Sequence, residues 1–199
     1  MHRTPHYLKS FVIVLSGFLL VATSCKKTND GNNNGAGDNY YIKFKANGEQ
    51  KEYKSEADIT LLPKKDGVYP CLLQGYKDFS MGARDEIGLF VFSNDAIVSG
   101  SFFHDPLKAV KTNGDTLTQL TFNYNDPAKV GYLSMGTLVY ANGTSGFPWV
   151  VADAQLTITE LTATYAKGTF SGTTYKSSDP TITEKQLITG GEFYLKRIQ

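Results

Sequence analysis

The chain has 199 residues, of which 41% are apolar and 20% charged, with 20 Lys+Arg against 19 Asp+Glu. That apolar content can bury a core, which excludes wholesale disorder, and a net charge of +1 offers no basic excess for gripping a phosphate backbone, so no nucleic-acid partner is expected. The length fits a single domain preceded by a leader.

Residues 1–24 follow the grammar of an export signal. Arg3 and Lys9 make a positive start, and Phe11 to Ala22 form an apolar run of 12 residues, shorter than the ~20 that a membrane-spanning helix needs. Ala22-Thr23-Ser24 then lead into Cys25. A cysteine after small residues at that point resembles the lipobox of bacterial lipoproteins. The resemblance implies that Cys25 becomes the first mature residue and carries acyl chains such as palmitate, making the membrane a partner through a lipid anchor. Lys26 stands where Asp would mark inner-membrane retention, so the same resemblance implies an outer-membrane location, with the facing side open. Ordinary secretion with a chance cysteine is the alternative.

Residues 25–38 read as a flexible tether, rich in Asn and Gly and without a strongly apolar side chain to offset its conformational entropy. Loss of Arg3 and Lys9 with the leader leaves 18 basic against 19 acidic residues. His104 is then the sole histidine and Cys71 the sole cysteine besides the anchor, which leaves no pair for an intramolecular disulfide.

From Asn39 to Gln199 the dominant period is two. Tyr40, Ile42, Phe44 and Ala46 alternate with Tyr41, Lys43 and Lys45, and Asn47-Gly48 predicts a hairpin turn returning through Glu49 to Tyr53. Further strands are expected at Ala57 to Leu62, Ile87 to Phe92, Ser101 to Phe103, Leu120 to Tyr124, Gly136 to Tyr140, Gln155 to Thr159, Gly168 to Tyr175, Thr181 to Thr183 and Gly191 to Ile198. Turn signals such as Lys65-Asp66-Gly67, Asn113-Gly114, Asn142-Gly143 and Ser178-Asp179-Pro180 separate them. The best helical window, Pro106 to Lys111, spans under two turns. These features predict an all-β antiparallel β-sandwich, with a closed or half-open β-barrel as the alternative.

Gly168-Thr169-Phe170-Ser171-Gly172, Ile182-Thr183 and the ending Ile188-Thr189-Gly190-Gly191-Glu192-Phe193 resemble the last strands of small Bacteroidota lipoproteins, which tend to finish in a GTFSG-type strand and an ITxGEF-type strand. The resemblance implies a fold and no catalytic residue.

Candidate chemistry is sparse. A serine hydrolase would need His104 as base, and the G-x-S-x-G elbow is absent around Ser134; His104-Asp105-Pro106 reads equally as the turn that ends a strand. One His and one free Cys cannot assemble a Cys/His zinc set. No EF-hand-type calcium loop occurs, Asn123 to Asp126 and Asp85-Glu86 being the nearest clusters. No metal or other cofactor is expected. Asp85, Glu86, Asp153 and Glu160 are available for carboxylate hydrolysis, with nothing in their spacing to select a pair. Binding is better supported: Asn142, Phe147 and Trp149 join a Gly-rich loop to two large aromatic faces, although Trp149 reads more readily as the start of a strand that plugs the core. Asp115-Thr116-Leu117 matches a short O-glycosylation pattern that makes Thr116 a candidate acceptor. Cys71, between Pro70 and Leu72, reads as a buried inert thiol.

The function expected is that of a lipid-anchored, non-catalytic module for a glycan or an envelope protein, oligomeric state open. The alternatives are a small carboxylate hydrolase and a purely structural envelope component.

Overall fold

The alternation that opens the domain becomes β1 (Tyr41–Ala46), with Ile42, Phe44 and Ala46 buried and Lys45 exposed. Asn47 at φ 47° and Gly48 at φ 87° then make the two-residue turn whose twist suits a tight hairpin, returning as β2 (Glu49–Tyr53). The computed structural model describes residues 39–77, 85–103, 110–112, 115–128, 130–134, 139–140, 153–179, 181 and 183–198. Among them every regular element is a strand. After β2 come β3 (Ser55–Leu61), β4 (Tyr69–Tyr76), β5 (Glu86–Ser93), β6 (Gly100–Phe103), β7 (Val110–Lys111), β8 (Asp115–Leu117) and β9 (Leu120–Asn125). β10 (Gly131–Leu133), β11 (Val139–Tyr140), β12 (Gln155–Leu161), β13 (Tyr165–Lys176) and β14 (Lys185–Ile198) complete the series.

Two layers form from one bent sheet. One has the order β2-β1-β14-β13-β12-β6 and the other β3-β4-β5-β9-β10. The long strands join them at two corners. β14 pairs with β1 through Tyr194 and then turns its last residues, Lys196–Ile198, parallel to β3. β13 pairs with β12 and then passes Tyr175 and Lys176 to β10. The fold is therefore all-β and sandwich-like, with the pairing path β14-β3-β4-β5-β9-β10-β13 returning to β14. β7, β8 and β11 form a separate three-stranded sheet.

The layers meet through aromatic rings. Phe44 of β1 packs edge-on against Tyr124 of β9 at 5.6 Å between centroids, and Phe122 of β9 meets Phe170 of β13 at 5.9 Å. Each buried phenylalanine contributes ~1.5–3 kcal/mol by leaving water, and each such ring pair about 0.5–1.5 kcal/mol more.

The C-terminal motif has a physical explanation in the register. Gly168 lies opposite Phe193, and Phe170 opposite Gly191. A Cβ on Gly168 would collide with the Phe193 ring and the Thr157 carbonyl, and one on Gly191 with the Phe170 ring. The two glycines give the two rings their seats. Gly190, at φ 57°, is the extra residue of a bulge in β14 that faces both Lys43–Lys45 of β1 and Phe170–Gly172 of β13. The bulge keeps Ile188, Gly191 and Phe193 all turned inward.

Two expectations differ from the structure. Thr181 and Thr183 lie outside any strand, in a turn gathered by the Asp179 carboxylate, which accepts from the backbone N–H of Thr181, Thr183 and Glu184 at 2.7–2.9 Å. β4 was not expected, because Pro70 and Gly75 both argue against a strand. Pro70 is tolerated because its carbonyl accepts from Leu62 N–H at 3.0 Å and its missing N–H falls beside the irregular 62–68 connection. There Asp66 and Gly67, at φ 51° and 89°, make the second tight turn.

Candidate functional site

The residues that alternate with the core on the six-stranded layer define a solvent-facing surface with its own order. Register carries one row across every strand: Ser101 (β6), Thr157 (β12), Thr169 (β13), Glu192 (β14), Lys43 (β1) and Glu52 (β2). At about 4.8 Å per strand it runs about 24 Å. A second row beside it takes Glu160, Lys167, Tyr194 and Tyr41.

Two grooves lie along these rows and share Glu192. The one of about 260 Å³ is lined by Tyr41, Thr159, Lys167, Thr169 and Tyr194 together with Glu192. The other, about 500 Å³, is lined by Lys43, Lys45, Gln50, Glu52, Gly190 and Glu192. Gly190 leaves the floor of the larger groove without a side chain, so the bulge that seats the core also shapes the surface.

Aromatic and charged groups are interleaved here. Tyr194 packs against Tyr40 at 4.8 Å and against Tyr165, edge-on, at 5.3 Å. The Lys167 ammonium stands 4.9 Å from the Tyr165 centroid and 5.0 Å from that of Tyr194, and Lys43 stands 5.2 Å from Tyr41, distances at which the ring quadrupole attracts a cation. Lys43 bonds Glu192 at 3.0 Å, Lys167 lies 3.4 Å from Glu160, and Lys54 lies 3.2 Å from Glu52. Tyr165 donates its hydroxyl hydrogen bond to Glu160. The hydrogen bond and charge of Glu192 hold the Lys43 ammonium above its ordinary pKa. The Tyr165 hydroxyl, and then the Lys167 charge, hold Glu160 below the usual carboxylate value. For Glu160 this favours the ionised carboxylate, the reverse of what a general acid needs.

Of the carboxylates singled out from sequence, Glu160 stands on this face, and the others are occupied elsewhere. Asp85 accepts from the buried Tyr53 hydroxyl, Glu86 from Asn125 at 2.6 Å, and Asp153 from the Thr173 N–H at 2.7 Å. Asp126 accepts from the Val130 N–H at 2.9 Å. Among the described residues no cluster of three or more His, Cys, Asp or Glu is placed to hold a metal ion. Cys71 is buried, and burial pushes its thiol up to about 12, so it presents no thiolate near neutrality.

One carboxyl departs in the other direction. Asp58, on β3, is 8% exposed; burial raises it to about 6, with Glu56 adding to the rise and the Gln74 hydrogen bond opposing it. Gln74 donates to its Oδ2 at 3.3 Å and is itself held by Tyr76, while Oδ1 has no hydrogen-bond partner among the described residues.

Cys25, His104, Asn142, Phe147 and Trp149 lie outside the described residues. Thr116 falls in β8, the middle strand of the small sheet, paired with Lys111 and Val139. Tyr41, Lys43, Lys167, Glu192 and Tyr194 were not named from sequence as a site. The available signal was parity: Tyr41 alternates with core residues and so faces out. That β1 brings its residues beside those of the consecutive strands β13 and β14 is set by long-range pairing.

Comparisons with protein-family models, with curated proteins and with solved structures gave no match to this chain.

Proposed function

We propose that the protein is a non-catalytic binding module held at the outer membrane by acyl chains on Cys25, and that its recognition face is the outer surface of the six-stranded layer. The observation that carries this reading is the pair of adjoining grooves around Glu192, bordered by Tyr41 and Tyr194 and by Lys43 and Lys167, each ion-paired with a glutamate. Aromatic rings set among hydrogen-bonding groups on a rigid sheet are the means by which a surface holds a ligand without reacting with it. The Asn142, Phe147 and Trp149 segment is a second candidate contact.

A carboxylate hydrolase has one observation in its favour, that Glu52 and Glu192 line the same groove. Glycoside cleavage requires one carboxyl kept protonated by an apolar setting, whereas this groove is open and lined by Lys43 and Lys45. Binding is the better reading.

Two measurements test it. Cys25→Ser should move the protein from the membrane fraction to the soluble one, and an unlipidated native product would remove the envelope assignment. A glycan array probed with the full-length chain and with Tyr41→Ala/Tyr194→Ala should show capture by the first and not the second. Equal capture would move the site away from this face, and no capture would favour the structural-component alternative.

A further inference from the structure

The chemistry of the two rows narrows the ligand, and the argument rests on the binding-face reading above. Charge is the first constraint. The larger groove carries Lys43 and Lys45 against Glu52 and Glu192, and the smaller carries Lys167 against Glu192. Glu192 belongs to both, so together they carry Lys43, Lys45 and Lys167 against Glu52 and Glu192, and Glu160 beside Lys167 brings the face to balance. Lys43 is bonded to Glu192, and Lys167 lies beside Glu160. An anionic ligand entering either groove meets a carboxylate beside Lys43 and beside Lys167 and gains little from either cation.

Apolarity is the second. The groove tyrosines are of a type that anchors protein partners, but the core of such an interface also buries aliphatic area around them. The exposed large apolar side chains among the described residues are Val98, Leu187 and Ile198, and none of them lines a groove. What the grooves offer besides rings is a supply of hydroxyl and amide groups. Thr159 and Thr169 line the smaller groove and Gln50 the larger. Ser101 and Thr157 extend the first row to the edge strand, their hydroxyls 3.0 Å apart, and Gln155 donates to Ser171 at 3.0 Å.

The third constraint is shape. The first row crosses six strands in a line, and the grooves follow it across the strands. A short ligand would occupy one groove; an extended one uses both and the hydroxyl end as well.

From these three constraints we infer that the face takes a linear, uncharged saccharide laid across the strands. The Tyr41 and Tyr194 rings contact its sugar faces, and the Thr157–Thr169 end and the Glu192–Lys43 pair exchange hydrogen bonds with its hydroxyls. The ion pairs act here as fixed donors and acceptors and not as charge receptors.

The test uses the full-length lipidated chain in detergent micelles and four immobilised polysaccharides: mixed-linkage β-glucan and arabinoxylan as uncharged probes, polygalacturonate and chondroitin sulfate as anionic ones. The expected result is retention on an uncharged probe with less than about a twofold change between ~0.05 and ~0.5 M salt, since screening acts only on charge-driven contacts. Tyr41→Ala/Tyr194→Ala should lose at least about tenfold in affinity, since both ring contacts with the sugar are removed. Thr157→Val, which keeps shape and removes a hydroxyl, should lose a few-fold with an unchanged thermal midpoint, so that the result does not depend on the double variant folding fully. Retention on the anionic probes alone, abolished by salt and by the tyrosine substitutions, would overturn the uncharged class while leaving the face in place. Retention unaffected by either variant would overturn both the face and the class. Retention on no probe by a folded wild-type chain would overturn the saccharide inference.

Discussion

The two sides of β13 and β14 carry the same backbone and opposite tasks. Inward, Gly168 opposes Phe193 and Phe170 opposes Gly191, each ring seated where its partner has no side chain. Outward, the same strands present Lys167, Thr169, Glu192 and Tyr194 to solvent-filled grooves. One side is an interlock in which each atom has a neighbour, and the other is a surface whose contacts are partly with water. Substitutions inward should therefore be read in stability and substitutions outward in binding. A mutation that crossed these categories would break the division.

The largest effect belongs to the inward side. Phe170→Ala removes a ring that touches Phe44, Phe122 and Phe193, and should cost ~3–5 kcal/mol in chemical denaturation, the range for emptying an aromatic site in a core. Gly168→Ala should cost ~1–3 kcal/mol by overpacking, since its Cβ falls on the Thr157 carbonyl and the Phe193 ring. A neutral result would mean that the rings are not seated as described.

Asp58 sharpens the comparison from the other layer. Its carboxyl is raised to about 6 from 3.8, so the folded state favours the protonated form. Stability from this group is fully present below 3.8 and is lost as pH rises through about 6. Asp58→Asn should therefore stabilise the protein at neutral pH by ~1–3 kcal/mol and flatten the denaturation midpoint between pH 4 and 7. A variant that is less stable at neutral pH would mean that the ionised carboxylate is satisfied in solution.

Smaller effects follow. Gly48→Ala places a side chain at φ 87° and should cost ~1 kcal/mol. Lys43→Ala removes a solvent-exposed ion pair to Glu192 and should change stability by less than ~1 kcal/mol. An effect as large as that of Phe170→Ala would place Lys43 with the structural side.

The layer of the account that sequence carried well was local. The Asn47-Gly48 and Asp66-Gly67 turns depend on neighbouring residues alone, and the alternation of Ile42, Phe44 and Ala46 with Tyr41, Lys43 and Lys45 matches the two faces of β1. β4 escaped because Pro70, Gly75 and a buried Cys71 break both the propensity and the alternation on which a strand reading depends. Thr181–Thr183 misled because β-branched threonines also serve as hydrogen-bond partners for a turn aspartate. The face was legible only in pieces. Tyr41, Lys167 and Tyr194 stand more than a hundred residues apart between first and last; β13 and β14 pair as consecutive strands, and the long-range pairing of β1 with β14 unites all three. The glycine motif was visible as a pattern, and its meaning came only with the register that sets each glycine against a ring.

The division between the two sides is tested most directly by mapping backbone amide shifts in the full-length chain as a soluble uncharged β-glucan hexasaccharide is titrated in. The expected result is a contiguous set of shifts at 41–45, 157–159, 167–169 and 190–194, with the β3, β4 and β5 amides unmoved. Shifts centred on β3 to β5 or on 142–149, with residues 167–169 and 190–194 silent, would contradict it.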